Sequence, residues 1–517
     1  MKNKLYKIFL LGFVLTFASC SKDYLETKPV DQLTEEDMFK NIVNAKAALN
    51  GTYRLLYQQL SGSEEDGHAA MMIAMDYLGE DVVFSARGTD QFYYTHRWQD
   101  HRHPENSLPL FAYRLYYRII SNANIILERI DGVPDATDRE KTTIKGECLS
   151  LRAFGHFMLV QLYAKRYVGG AVNDQRGVQI MTKHSLESFP MSTVEEVYKQ
   201  INDDLDLSLT YLNGAPKRLY KTHIDKSVAL GLKARVCLTQ QNYADAATFA
   251  LQAVQNYSLM SRIDYLSGFN SIQNDEWMWG IQQKEEQVPT YGAFYAYMSS
   301  NFNSTHTRTN PKMINLQLYN TISATDVRKK MWCDDVNDTE NYPGVINGIK
   351  LTPVEGQKRV RLMHNKFRVQ NPVSRAGDIP LMRASEMYLI AAEALVEGGT
   401  ANVPAAQDVL YTLAKNRDPL YTKPQDRDPV EPIPSQSSFR TEILNQRRIE
   451  LWGEGFRFLD LKRRNQALAR GLKNTTGVTS VWANVTSVAV GSNAWQFKIP
   501  QREIDGNPFL TDADQNP

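Results

Sequence analysis

The sequence predicts a mostly α-helical protein in which helix pairs build a superhelical scaffold, supplemented by long loops and short strands. Three observations support this fold class. Apolar residues recur at three- and four-residue steps through much of the first half of the chain. Two distant segments are rich in alanine at helical spacing, and residues 258–378 lose the helical period and fill with Asn, Ser, Thr, Gly and Tyr.

The helices of the first half follow from apolar periodicity. Residues 35–59 predict one long amphipathic helix, because Met38, Ile42 and Ala45 fall on one face. Thr34 precedes this helix with a hydroxyl that suits its N-cap. Apolar stripes of the same spacing predict three further helices, at about residues 110–130, 140–163 and 193–212.

Two alanine-rich segments predict pairs of closely crossing helices. Residues 225–257 contain two helical stretches joined at Gln241-Asn242, and the segment resembles a tetratricopeptide helix pair. Residues 379–415 form a second such pattern, with a break at Gly398-Gly399. Because one pair cannot bury its own apolar face, we expect the separated pairs to stack. The N-terminal region, residues 20–260, and the C-terminal region, residues 261–517, should therefore form one interwoven unit.

Composition excludes several classes of partner and site. The chain carries 59 Lys and Arg against 58 Asp and Glu, so charge draws it neither to nucleic acid nor to an anionic membrane surface. Three cysteines follow the N-terminal segment, an odd number without C-x-x-C spacing, which predicts neither a disulfide framework nor a metal site. Cys148 and Cys237 fall in apolar helical stretches and should be buried thiols, whereas Cys333 is ambiguous.

The N-terminus predicts a secreted, lipid-anchored protein. Three lysines precede an apolar run at residues 8–18, which reads as a signal peptide over residues 1–19. Eleven residues span about 16 Å as a helix, too short to cross a membrane. Cys20 follows Ala18-Ser19 and resembles the lipobox cysteine of bacterial lipoproteins, which carries diacylglycerol. The alternative is an ordinary signal peptide with an incidental cysteine.

A series of motifs spans the chain from Cys20 to the C-terminus in a constant order. They are Tyr113-x3-Tyr117-x2-Ile120-x2-Ala123-Asn124, Glu147-x4-Arg152-Ala153-x3-Phe157, Arg383-Ala384-x-Glu386-x2-Leu389-x2-Ala392-Glu393-Ala394, Arg447-Arg448-x-Glu450-Leu451-x2-Glu454-Gly455-x-Arg457-x2-Asp460-Leu461-x-Arg463 and Ile499-Pro500-x2-Glu503-Ile504-x2-Asn507-Pro508. Together they resemble the SusD/RagB family of nutrient-uptake lipoproteins. Tyr113 departs from the family's usual Trp, and Gln446 from its usual Glu.

This resemblance implies a SusD-like helical fold anchored at the outer face of the outer membrane. It also implies a lid on a SusC-like TonB-dependent transporter that captures an oligosaccharide or another nutrient, without a catalytic role and without a cofactor. The charged segment Arg447 to Arg463 could be interpreted as a chemically active site. Its three- and four-residue spacing instead favours a structural network of ion pairs.

The richest candidate for ligand binding is the loop at residues 81–106. A sugar site needs an aromatic platform together with planar hydrogen-bonding groups, and this loop contains both. Family members place a stacking aromatic in this loop, so Trp98 is the leading candidate, and the alternative is that Trp98 belongs to the core. The other candidates here are Asp81, Arg87, Tyr94 and Asn106.

Two further interpretations concern aromatic and histidine clusters. Tyr291, Tyr295 and Trp332 form a second candidate platform. Trp277 and Trp279 alternate as in a strand, so at least one should be core. Three histidines at positions 96, 101 and 103 could hold a metal, but their spacing matches no helical His-x-x-x-His pattern, and a solvated polar loop is the simpler explanation.

Two rival functional classes remain from the residues alone. A glycoside hydrolase needs only two suitably spaced carboxylates, a distance that the sequence does not contain. The sequence has no Gly-x-Ser-x-Gly, phosphate-binding Gly-x4-Gly-Lys or His-Glu-x-x-His motif. A helical repeat scaffold that binds only protein or peptide is the other alternative. Starch, host glycans, plant polysaccharides and peptides all remain open as ligands.

Overall fold

The computed structural model describes residues 35–84, 91–289, 293–302, 310–334, 345–346, 349–350, 361–371, 373–423, 426, 434–470 and 485–517. Cys20 and Thr34 lie outside this part of the chain. Helices dominate the regular structure, as the sequence predicts. The strands are short and pair in twos.

The helices before residue 260 are α1 (Glu35–Met38), α2 (Ile42–Arg54), α3 (Gly67–Tyr77), α4 (Tyr93–His96), α5 (Ser107–Arg129), α6 (Asp138–Tyr163), α7 (Val194–Leu212), α8 (Lys226–Thr239) and α9 (Tyr243–Ala253). The later helices are α10 (Arg262–Tyr265), α11 (Phe294–Met298), α12 (Leu316–Asn320), α13 (Ala384–Glu397), α14 (Val403–Arg417), α15 (Gln436–Glu450), α16 (Arg457–Arg463) and α17 (Gln501–Gly506).

The described residues form four two-stranded antiparallel sheets, of which β1–β3 and β2–β6 join segments distant in sequence. The strands are β1 (Val82–Phe84) with β3 (Lys312–Ile314), β2 (Trp277–Ile281) with β6 (Ile379–Arg383), β4 (Val345–Ile346) with β5 (Ile349–Lys350), and β7 (Leu468–Ala469) with β8 (Ser487–Val488).

The prediction of one continuous helix over residues 35–59 is wrong. The structure has α1 and α2 there, separated by residues 39–41, and α2 ends at Arg54. The cause of the break is local, because the side chain of Asn41 accepts a hydrogen bond from the backbone N–H of Asn44 (2.9 Å) and so caps a new helix. Apolar periodicity alone does not reveal such a restart.

The predicted helices of the N-terminal half are confirmed as α5, α6 and α7, within three residues of the expected bounds. Thr137 with Glu140 and Thr193 with Glu196 form capping boxes that begin α6 and α7. Helix α6 packs against both α5 and α7, and its last twenty residues are almost entirely buried. This layer forms the base on which the loops sit.

The two predicted helix pairs stack as expected. Helices α8 and α9 form the first pair, α13 and α14 the second, and α9 packs directly against α13. The alanines at the crossings, including Ala246, Ala250 and Ala391, are fully buried. The start of the second pair is corrected, because Ile379–Arg383 is strand β6 rather than helix. Strand β6 pairs with Trp277–Ile281, and Trp277 and Trp279 are both buried.

The charged segment Arg447 to Arg463 is structural, as predicted, but most of its partners are distant in sequence. Glu450 is fully buried and lies 2.9 Å from Arg383, 3.0 Å from Arg417 and 3.3 Å from Arg328. Burial opposes ionisation, yet these guanidinium groups together hold the pKa of Glu450 well below its usual range. Through Glu450, the network joins the ends of β6, α14 and α15. Cys148, Cys237 and Cys333 are buried free thiols.

Candidate functional site

The two predicted ligand-binding segments lie next to each other in the structure. Strand β1, at the start of the loop 81–106, pairs with β3 of the second segment, with Val83 opposite Met313. Further along the loop, the ring of Phe92 packs edge-on against Tyr297, with 5.3 Å between the ring centroids. The fold therefore brings together two segments that are about 200 residues apart in the chain.

Trp98 is not accessible to a ligand, which corrects the leading candidate. Its side chain is 4% exposed and packs against Trp495, Phe458 and His101. The indole N–H donates to the carbonyl of Leu78 (2.9 Å). The structure therefore favours the alternative that the sequence analysis named, a core position for Trp98. A large aromatic side chain whose N–H is hydrogen-bonded is a good core residue.

Three other candidates are buried as well. Asp81 forms an ion pair with Arg448, so its carboxylate is not free to bind a hydroxyl group. Tyr295 is fully buried and its hydroxyl donates to the carbonyl of Asp378 (2.8 Å). Trp332 packs edge-on against Trp452 at 4.8 Å between centroids. Each of these residues fills the core beneath the loops. Arg87 and Tyr291 lie outside the described residues.

The histidines of the loop are also structural. His96 and His101 are buried, and their ring nitrogens lie 3.1 Å and 3.0 Å from the carbonyl oxygens of Tyr77 and Ala494. Burial lowers the pKa of His101 to about 3. His103 is exposed. Within the described ranges, no group of three or more His, Cys, Asp or Glu side chains is arranged to hold a metal ion.

What the loop presents to solvent is a small aromatic and cationic surface. The ring of Tyr94 is 57% exposed and lies edge-on to Tyr93, with 5.0 Å between centroids. The guanidinium of Arg97 sits over the Tyr93 ring at 4.8 Å and donates to the Tyr93 hydroxyl. Asn106 is half-buried at the N-cap of α5. We call Tyr93, Tyr94 and Arg97 the tyrosine surface.

The tyrosine surface is held by a backbone of unusual conformation. Its three residues lie in and beside the short helix α4, which is bracketed by Phe92 at φ 55° and Trp98 at φ 59°. Both residues are in the left-handed region, which costs about 1–3 kcal/mol for a non-glycine residue. Their buried rings offset this cost, since Phe92 and Trp98 are anchored in the core. Such overdetermined strain is typical of functional loops.

Arg470 supports the same loop from below. Its guanidinium donates to the carbonyl oxygens of Gly79 (2.8 Å), Tyr77 (2.6 Å) and His96 (2.6 Å). Burial lowers the pKa of Arg470 to about 9. The three bonds join the end of α3 to the end of α4 through a residue from the C-terminal region. The loop is therefore rigid at both of its ends.

A half-buried carboxyl group lies beside the tyrosine surface. Glu64 accepts a hydrogen bond from the backbone N–H of Phe92 (2.6 Å), and burial raises its pKa to about 7. The neighbouring Ser63 accepts from the Gln91 amide (3.0 Å). The segment before α3 thus contacts the loop just before the tyrosine surface.

Sequence reasoning named Tyr94 but missed the arginines that support it. Arg97 carried a usable signal, because it follows Tyr93 by four residues and so faces it on a helix. Arg448 and Arg470 carried none, since their partners lie more than 360 residues away. Only the folded chain shows that these arginines hold the loop.

Comparison with known proteins identifies the family. A family profile described as starch-binding and associating with the outer membrane matches residues 23–238. A second profile, described as the SusD family, matches residues 270–517. The chain belongs to the SusD/RagB family. The two matches run through both halves of the chain in the expected order, so the resemblance predicted from the sequence motifs is confirmed.

Relatives in sequence and structure agree with this family assignment. SusD-like protein P2 of Formosa agariphila is 24% identical over 489 residues, which cover 89% of this chain and 90% of that protein. A SusD-like carbohydrate binding protein of Bacteroides vulgatus is 26% identical, with a TM-score of 0.76 over 91% of this chain and 98% of that structure. Surface glycan-binding protein A of Bacteroides thetaiotaomicron, solved with laminarihexaose, has a TM-score of 0.66 at 17% identity, over 92% of this chain and 99% of that structure.

The mostly helical fold matches that of the SusD-like structures. SusD-like proteins bind glycans and associate with the outer membrane, as the family descriptions state. In the part of the chain that the structure describes, no helix combines the length and apolarity needed to cross a membrane.

Proposed function

We propose that this protein binds an oligosaccharide at the tyrosine surface and delivers it to a partner TonB-dependent transporter. The observation that carries the proposal is the exposed ring of Tyr94 on a rigid support. A flat tyrosine ring stacks on the C–H face of a sugar, and the adjacent guanidinium of Arg97 donates hydrogen bonds to hydroxyl groups. Membership of a glycan-binding family and the laminarihexaose complex of a structural relative support this assignment.

The proposed role is binding without catalysis. The buried acidic groups of the charged segment are paired with arginines, as Glu450 is, and so serve the core instead of a substrate. Near the tyrosine surface, the Glu64 carboxyl group accepts a hydrogen bond from a backbone N–H. These pairings support a binder over a hydrolase, and the glycan-binding family supports it over a protein-binding scaffold.

The anchor and the transporter complete the proposal. Cys20 would carry the lipid that holds the protein at the cell surface, and a SusC-like barrel in the outer membrane would be its partner. Detergent extraction after crosslinking should then recover the lipoprotein with a large outer-membrane barrel. Recovery of the free lipoprotein alone would contradict the transporter assignment, and labelling of a Cys20→Ala variant with radioactive palmitate would contradict the anchor.

The first experiment is a glycan array with the soluble protein from residue 21 onward, followed by calorimetry. Tyr94→Ala should weaken glycan binding by about fivefold, because stacking contributes about 1 kcal/mol. Phe509→Ala is the matched control, since the Phe509 ring is also 57% exposed but lies near the C-terminus. Equal affinity of both variants would rule out the tyrosine surface as the site.

Incubation with labelled glycans separates the three functional classes. Retention of intact glycan indicates a binder, cleavage products indicate a hydrolase, and neither result leaves the protein-binding scaffold. The same purified protein serves for all three outcomes.

A further inference from the structure

A separate cleft of about 560 Å³ lies between the segment that precedes α8 and the segment that leads into β2. Its volume falls in the range of about 300–1,000 Å³ that is typical of small-ligand sites. The lining comes from residues 217–227, 256–258, 272–275 and 282. It shares no residue with the tyrosine surface.

The floor of this cleft is rigid. Arg218 donates to the Tyr257 hydroxyl (2.7 Å) and to the carbonyl oxygens of His223 and Met278, and it forms an ion pair with Asp225 (3.0 Å). These four partners come from three different segments of the chain. The guanidinium is therefore fully engaged, and its role is to fix the walls in place.

Lys221, another lining residue of the cleft, is also held by hydrogen bonds to other segments. Its ammonium group donates to the carbonyl of Asn274 (2.6 Å), which joins the two sides of the cleft. The backbone carbonyl of Lys221 accepts from the N–H of Gly280 in β2. A ligand would thus meet walls whose backbone is already in place, and binding would cost little ordering of the backbone.

The upper walls, in contrast, present polar groups with no internal partner. Six lining side chains make no hydrogen bond or ion pair with any other described residue, and all six are exposed: Lys217, Tyr220, Asn256, Gln273, Asp275 and Gln282. Three of them are planar amides, which donate and accept at once. The Tyr220 ring is 61% exposed and supplies an apolar face.

From these features we infer that the cleft is a second binding site for a neutral oligosaccharide. A sugar offers alternating apolar C–H faces and hydroxyl groups that both donate and accept, which matches one tyrosine face surrounded by amides. The lining contains three basic residues and two acidic ones, so its net charge is only +1 and gives little preference for an anionic ligand: Lys217, Arg218 and Lys221 against Asp225 and Asp275. The inference goes beyond the proposed function, because it concerns a different surface.

Two sites on one protein would have a consequence for long glycans. A polysaccharide that reaches both surfaces would bind more tightly than a short oligosaccharide, since the second contact becomes intramolecular. A hexasaccharide would instead occupy the two sites independently.

The test uses the soluble protein from residue 21 onward with four neutral hexasaccharides, namely laminarihexaose, maltohexaose, xylohexaose and mannohexaose. Calorimetry gives the stoichiometry, and hydroxyl-radical footprinting reports whether Tyr220 is covered. We expect at least one sugar to protect Tyr220 from oxidation in the wild type. Gln273→Ala combined with Gln282→Ala should reduce that protection several-fold, and Tyr220→Ala should remove one binding site. Phe509→Ala serves again as the control.

The outcomes separate the two sites. If Tyr94→Ala loses one binding site while Tyr220 stays protected by sugar, the two sites are independent and both proposals are supported. No protection of Tyr220 by any of the four sugars would overturn the second site, whether or not Tyr94 matters. Loss of barrel recovery in Tyr220→Ala, with no change in sugar binding, would also overturn it and indicate a protein contact.

Discussion

Arg448 binds both carboxylate oxygens of Asp81, with 3.1 Å from Nε to each, although 367 residues separate the two in sequence. Asp81 was predicted to bind a ligand, but this contact already occupies its buried carboxylate. The ion pair fixes the start of the loop that carries the tyrosine surface to helix α15. Under the proposed function, the same contact would support both the fold and the ligand site.

Removing Arg448 should destabilise the protein. Arg448→Met would leave the buried carboxylate of Asp81 with only the more distant Arg457 (3.5 Å) as a cationic partner, at a cost of about 3 kcal/mol. Urea unfolding measures the change. Lys199→Ala is the control, because the Lys199–Asp203 pair is exposed and should contribute less than about 1 kcal/mol. Similar values for the two variants would contradict the role of the buried pair.

Trp98 and Tyr94 should have opposite phenotypes. Trp98→Ala removes a buried indole and should cost about 3–5 kcal/mol of unfolding free energy. Tyr94→Ala should leave the melting temperature nearly unchanged while it weakens glycan binding. Calorimetric melting together with glycan titration measures both quantities. A stable Trp98→Ala protein that has lost binding would restore Trp98 as the stacking residue.

Arg470 should determine the rigidity of the loop. A lysine in its place cannot reach the three carbonyl oxygens at once, so Arg470→Lys should cost about 1–3 kcal/mol. Hydrogen exchange should accelerate in residues 77–84 and 91–98 and remain unchanged in α7. Unchanged exchange in those residues would show that the loop is held by its aromatic core alone.

Asp66 should make the protein less stable as the pH rises. It is fully buried, neither carboxylate oxygen has a hydrogen-bond partner among the described residues, and burial raises its pKa to about 8. An unfolded aspartate has a pKa of about 4, so the folded state binds the extra proton between pH 4 and 8 and loses stability across that range.

Asp66→Asn should remove that part of the pH dependence. Unfolding free energies measured from pH 5 to pH 8 should fall less steeply in the variant than in the wild type. Glu64 contributes in the same direction with its raised pKa of about 7, so some slope should remain. An identical slope in both proteins would mean that Asp66 is ionised in the folded state.

The buried charge network should respond as a unit. Glu450→Gln leaves three arginines without their shared carboxylate and should cost about 3 kcal/mol or more. Adding Arg417→Met removes one of the excess charges, so the double variant should be less destabilised than the sum of the single variants. Double-mutant cycles from urea unfolding test this, and simple additivity would contradict the network.

Sequence patterns determined the local structure and the family of this protein. Periodicity placed α5 to α9 because a helix stripe needs only neighbours three and four residues away. The motif order identified the family, and the alternation of Trp277 and Trp279 identified a strand. The sequence also singled out the loop 81–106 as the candidate region, which stays a prediction, and within that loop Trp98 is a core residue.

The tertiary structure alone decided which residues of that loop are exposed. Trp98 and Asp81 have the same chemistry as ligand-binding residues, but they are buried by Trp495 and Arg448, which lie more than 360 residues away. Exposure depends on what packs over a side chain, and that packing is set by long-range contacts that leave no local pattern. For this reason Tyr94, and not Trp98, remains at the surface.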